Sequence, residues 1–107
     1  MKIMKKRHKL ILHNLIEKDG TLYAALCLEL DVASQGRTAK EAEKNLREAV
    51  DLYLDTVHEM GVEDQFIPRL APVEDWIRYY ELEAQRVQRE LRDHPESVVE
   101  FETRVHE

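Results

Sequence analysis

The side chains that could carry chemistry here are five histidines, one cysteine and a large set of carboxylates, and their spacing decides what they could do. His8, His13, His58, His94 and His106 are scattered, and none stands at metal-ligand spacing from Cys27 or from another histidine. His58-Glu59 has no second ligand one helical turn away. Ser34 lies in Ala-Ser-Gln-Gly, which is not the Gly-x-Ser-x-Gly turn that presents a nucleophilic serine, so it is expected as a strand-end hydroxyl. Gly20, Gly36 and Gly61 are isolated and form no phosphate-cradling loop. Asp19, Glu29, Asp31, Glu41 and Asp51 are the acids that a two-metal nuclease would have to gather. Such a centre needs carboxylates aimed inward from mid-strand. The first apolar run offers only His13 and Asn14 there, with no carboxylate before Glu17. No catalytic residue, metal or cofactor is therefore expected, and a metal-dependent nuclease is the weakest reading of the chain.

The elements that would position these residues follow from periodicity. From Lys9 to Lys18, Leu10, Leu12 and Ile16 alternate with Ile11, His13, Leu15 and Glu17, which is strand spacing. Lys18-Asp19-Gly20-Thr21 is a hairpin turn, because glycine takes a positive φ at little cost. A second strand runs from Leu22 to about Leu30, with Leu22, Ala24, Leu26, Leu28 and Leu30 on one side and Tyr23, Ala25 and Cys27 on the other. Apolar on both sides, it is expected at the centre of a sheet covered on both faces. A short third strand, about Asp31 to Gln35, ends at Gly36.

Thr38 and Glu41 form a capping box. They open a helix over 39–60 whose apolar face is Ala42, Leu46, Ala49, Val50, Tyr53, Leu54 and Val57, with Gly61 as its stop. Residues 62–71 carry no period and are expected as a linker. Pro72 suits the start of a long helix over 73–93, lined by Val73, Trp76, Ile77, Tyr80, Ala84, Val87 and Leu91 and ended by His94-Pro95. Ser97 to Val105 alternates again, with Val99, Phe101, Thr103 and Val105 on one side. The expected fold is α+β, two layers in the order β-β-β-α-(α)-β. Its mixed four-stranded sheet has the order 3-2-1-4 and packs on helix 39–60, with helix 73–93 as an addition. The 107 residues amount to one domain, with 1–8 a basic flexible terminus.

Charge narrows the partners. Residues 1–9 hold five basic side chains and no acidic one; setting these aside from the totals of 16 and 22 leaves 11 basic against 22 acidic, about −11 for residues 10–107. Such a body repels phosphate backbones and draws in basic partners. One cysteine permits no internal disulfide, and its apolar surroundings mark Cys27 as a buried structural thiol. The run LILHNLIEKDG is broken by His13 and Asn14 and is too short to span a membrane. A soluble, cytoplasmic protein is expected.

The strand LILHNLIEKDG, the strand TLYAALCLELDV, the turn ASQGRT and the helix AKEAEKNLREAVDLYLDTVHEMG together resemble the HicB family of antitoxins. Family members often carry Pro-x-Leu-x-Gly-x-x-x-x-Gly-x-Thr-x-Glu-Glu-Ala after the hairpin. Gly36, Thr38, Glu41 and Ala42 keep its later part, while Glu29-Leu30-Asp31-Val32 lacks the proline and glycine of its first part. SVVEFETRV resembles the family's last strand, so the likeness covers about residues 9–61 and 97–105. The resemblance implies a shortened RNase H-like fold without nuclease carboxylates. It also implies a non-catalytic protein that sequesters a small basic RNA-cleaving toxin of the HicA kind, as a dimer or higher assembly. The C-terminal DNA-binding module of many members has no counterpart here, which leaves operator binding without a carrier. Glu43, Glu48, Asp51 and Asp55, on the outward face of helix 39–60, are the candidate partner-binding residues, and Trp76, Tyr79 and Tyr80 the candidate oligomer interface. The competing reading is a stand-alone structural homo-oligomer with no toxin.

Overall fold

The computed structural model describes residues 9–96 and 98–106. Its elements are β1 (Asn14–Asp19), β2 (Leu22–Cys27), β3 (Val32–Gly36), α1 (Ala39–Met60), α2 (Glu63–Phe66) and α3 (Val73–Asp93). The chain divides into two compact units, Met1–Trp76 and Ile77–Glu107. Residues 1–8, expected as a basic terminus, lie outside the described residues.

In the first unit, β1, β2 and β3 form an antiparallel sheet in that order. Asp19 pairs with Leu22 across the turn at Gly20, whose φ of 62° is the conformation that favours glycine. The register sets Asn14 against Cys27 and Cys27 against Val32, so Asn14, Ile16, Ala25, Cys27, Val32 and Ser34 share a face. That face receives α1. Ala25, Cys27 and Leu30 close a core with Ala42, Leu46 and Val50, and Leu12, Ile16, Tyr23, Tyr53 and Leu54 pack around it.

The helix is punctuated as its sequence demands. The Thr38 hydroxyl accepts the Glu41 amide at 3.0 Å, and the Glu41 carboxylate reaches back to the Arg37 amide at 3.3 Å. At the other end Gly61 takes φ 67°, and the amides of Gly61 and Val62 close on the carbonyls of His58 and Val57. Gly36 permits a second close approach. A Cβ there would lie 2.4 Å from the Ala42 nitrogen and 2.8 Å from the Glu41 carbonyl carbon, so only glycine lets α1 start this near β3.

Four expectations are corrected. There is no fourth strand among the described residues, and both pairings are antiparallel, so a mixed sheet of order 3-2-1-4 is not formed. Val98, Val99, Phe101 and Val105 are 89%, 78%, 93% and 79% exposed. Ser97, the expected first residue of that strand, lies outside the described residues. Alternation gives a segment two faces, but a strand also needs a neighbour to accept its backbone hydrogen bonds, and local sequence does not supply one.

Second, β2 stops at Cys27, and residues 28–31 turn with Asp31 at φ 52°. Third, only one face of β2 is covered. Ala25 and Cys27 are buried, whereas Ala24 is exposed and Leu22 and Leu26 are half-buried. Fourth, residues 62–71 are not a plain linker. They carry the single turn of α2 and then run beside the 28–31 turn, with the Arg69 amide donating to the Glu29 carbonyl and the Ala71 amide to the Leu28 carbonyl, both at 2.8 Å.

Candidate functional site

Two groupings within the Met1–Trp76 unit concentrate polar chemistry. The first surrounds Glu29, the buried charged residue among those described, at 7% exposure. One carboxylate oxygen accepts the backbone amide of His13 at 2.6 Å, and the other lies 2.6 Å from the His13 ring Nδ1. The Leu28 amide donates to the His13 carbonyl at 3.0 Å, which carries the β1–β2 ladder one residue further. Arg69 approaches from the other side. Its Nε donates to the Leu30 carbonyl and its Nη2 to the Asp31 carbonyl, each at 3.1 Å, while its guanidinium lies 4.9 Å from the centre of the Tyr53 ring. The Tyr53 hydroxyl donates to the Phe66 carbonyl at 2.7 Å. Thus Glu29, Arg69 and Tyr53 tie together the start of β1, the 28–31 turn, α1 and the segment after α2.

A carboxylate that orients an imidazole is one component of a proton relay, but a relay also needs a reacting group within reach. Here both carboxylate oxygens are spent on fastening one residue, by its backbone and by its ring. The grouping is a clamp that builds the fold. Cys27, next to it in sequence, is fully buried; burial pushes its thiol above the ordinary value, and the charge of Glu29 adds to the rise against backbone hydrogen bonds from Leu30 and Glu29 that lower it. A thiol held protonated is a poor nucleophile and a poor metal ligand. Among the described residues no three His, Cys, Asp or Glu side chains stand close enough to hold a metal ion.

The second grouping is the outward side of α1, where the four candidate acids divide. Glu43 lies in the first half of the helix, is half-buried, and accepts from Arg47 at 3.0 and 3.2 Å, with Lys40 and Lys44 around the same depression. Its charge is answered locally. Glu48, Asp51 and Asp55 follow from the middle of the helix onward, all exposed, and none is in an ion pair among the described residues. Helical spacing places Leu52 one turn from Glu48 and from Asp55, with the three acids forming a strip along one side of it. Leu52 is 68% exposed. Three of the four acids are thus exposed in a strip beside an exposed apolar side chain, and Glu43 is paired apart from them.

On α3, Trp76 borders a shallow apolar groove with Leu70, Ala71 and Val73 in the first unit. Tyr79 and Tyr80, in the second, meet edge to face with ring centres 5.2 Å apart, and Tyr80 is 59% exposed.

Sequence reasoning missed Leu52, Arg69 and the His13–Glu29 pair. Leu52 carried a signal, an apolar residue off the apolar face and one turn from two acids. His13 and Glu29 each interrupt an apolar run, which marks them as unusual, but their 16-residue separation hides that they meet. Arg69 stood in a segment without period and gave none.

No protein-family model, no curated protein and no solved structure matches the chain. No helix among the described residues is long and apolar enough to cross a membrane.

Proposed function

We propose that this protein is an antitoxin-like binding protein of the HicB kind, which acts in the cytoplasm by covering a small basic RNA-cleaving toxin of the HicA kind without catalysing a reaction. The observation that carries the reading is Leu52, exposed on α1 at the edge of a strip of exposed acids, Glu48, Asp51 and Asp55. Protein interfaces concentrate their energy in a few anchors that become buried, surrounded by a polar rim. An acidic rim steers a basic partner into place and speeds its arrival. The charge of about −11 on residues 10–107 supports the same partner and disfavours nucleic acid. The antiparallel sheet with one helix on it agrees with the part of the resemblance that runs through α1.

The test is inhibition of RNA cleavage. The small basic protein encoded beside this chain, if one is, is assayed for RNA cleavage and titrated with the purified protein. Stoichiometric loss of cleavage is expected, along with a loss of affinity of about tenfold or more in Leu52→Ala, the scale of a hot-spot truncation. Replacing Glu48, Asp51 and Asp55 together by lysine is expected to slow association and to remove most of its salt dependence. A wild-type chain that leaves cleavage untouched overturns the proposal.

A further inference from the structure

A helix of 21 residues with no buried side chain is α3, Val73–Asp93. Helices in proteins draw most of their stability from packing an apolar stripe against a neighbour and not from intrinsic propensity. The stripe is present and uncovered. Ile77, Tyr80, Ala84, Val87 and Leu91 follow one another at spacings of three, four, three and four, the a/d pattern of a coiled coil. Four of them are 52%, 59%, 43% and 63% exposed (Ile77, Tyr80, Val87, Leu91), and Ala84 is exposed as well. With Val73 the pattern fills three heptads, the shortest run that commonly sustains pairing.

We propose that α3 pairs side by side, in parallel, with α3 of a second copy of this chain. Charge decides both the occupant and the direction. In this register Glu81 and Gln88 stand at e positions, and Trp76, Glu83 and Glu90 at g. Parallel pairing sets each g residue against the e residue five positions further along the other helix. Glu83 then faces Gln88 and Glu81 faces Trp76, so no acid opposes an acid. The antiparallel arrangement that aligns the whole stripe brings Glu83 to Glu83 and Glu81 to Glu81. A basic partner helix is a poorer fit, because Arg86 already holds Glu83 at 3.3 Å and Glu90 at 3.0 Å, and its charge would repel that partner. The inference concerns α3 alone and stands whether or not a toxin binds α1.

The full chain tests it without any other protein. Sedimentation equilibrium from micromolar to submillimolar concentration is expected to report twice the 12.7 kDa chain mass. The double variant Ile77→Asp, Val87→Asp is expected to sediment as a monomer. Leu91→Cys is expected to form a disulfide-linked dimer under mild oxidation, since residues at 91 meet only in the parallel arrangement; wild type, whose Cys27 is buried, is not. A wild-type monomer at every concentration overturns the proposal. So does a dimer that persists in the double variant, or a dimer whose Leu91→Cys form fails to link.

Discussion

Glu29 is a carboxylate almost out of water, and such a group is tolerated only when its oxygens are satisfied. His13 satisfies both of them. Truncation in Glu29→Ala leaves the half-buried His13 amide without its acceptor and is expected to cost about 1.5–3 kcal/mol, the range for hydrogen bonds to charged groups. Glu29→Gln keeps one carbonyl acceptor and should cost less. Urea denaturation of the two variants checks the order, and equal losses would contradict the clamp. Cys27 makes a prediction of a different kind. Its folded thiol holds a proton that the unfolded thiol releases above the ordinary value of 9.0, because burial disfavours the thiolate. The stabilisation is full below that value and fades as pH rises beyond it. Native protein at neutral pH is expected to resist iodoacetamide, and urea-unfolded protein to be alkylated rapidly, as read by mass spectrometry.

At the scale of elements, stability depends on how closely α1 seats on the sheet. Gly36→Ala forces a Cβ against backbone at 2.4 Å, which no rotamer change relieves. A loss of about 1–3 kcal/mol is expected, as for overpacked cores. Thr38→Ala removes the cap on the same helix and should cost about 1 kcal/mol. Thermal melts of the two variants are expected to rank Gly36→Ala as the less stable. Arg69→Ala tests the segment after α2. It removes two hydrogen bonds to the 28–31 turn and the stacking on Tyr53, for a loss of about 1–2 kcal/mol. Faster exchange of the Leu28–Asp31 amides should accompany it, and an unchanged exchange pattern would mean that the turn holds itself.

Over the whole molecule, the exposed apolar residues of 98–106 contribute no burial, so a chain ending at Glu96 is expected to keep its thermal midpoint within about a degree. A marked drop would show that the segment covers something. The distribution of charge predicts a further behaviour: association with a basic partner through α1 should weaken steeply with salt, while unfolding of the free chain should vary little, because exposed acids contribute to encounter more than to the fold.

The residue pattern alone determined the turn at Gly20, the capping box at Thr38, the extent of α1 to Met60, the stop at Gly61 and the length of α3. Each is decided within a few residues by backbone geometry and by hydrogen bonds between near neighbours. What spans the chain was not legible. The meeting of His13 with Glu29 and the run of residues 67–71 beside the 28–31 turn join positions far apart, and no local period records such a meeting. Alternation over 98–105 met the local condition for a strand without the long-range one. The pairing of Glu43 with Arg47, by contrast, joins neighbours one helical turn apart and is as local as the cap, leaving Glu48, Asp51 and Asp55 exposed. Short-range geometry writes itself into adjacent residues, whereas pairing between distant segments is settled only when the folded chain chooses which surfaces touch.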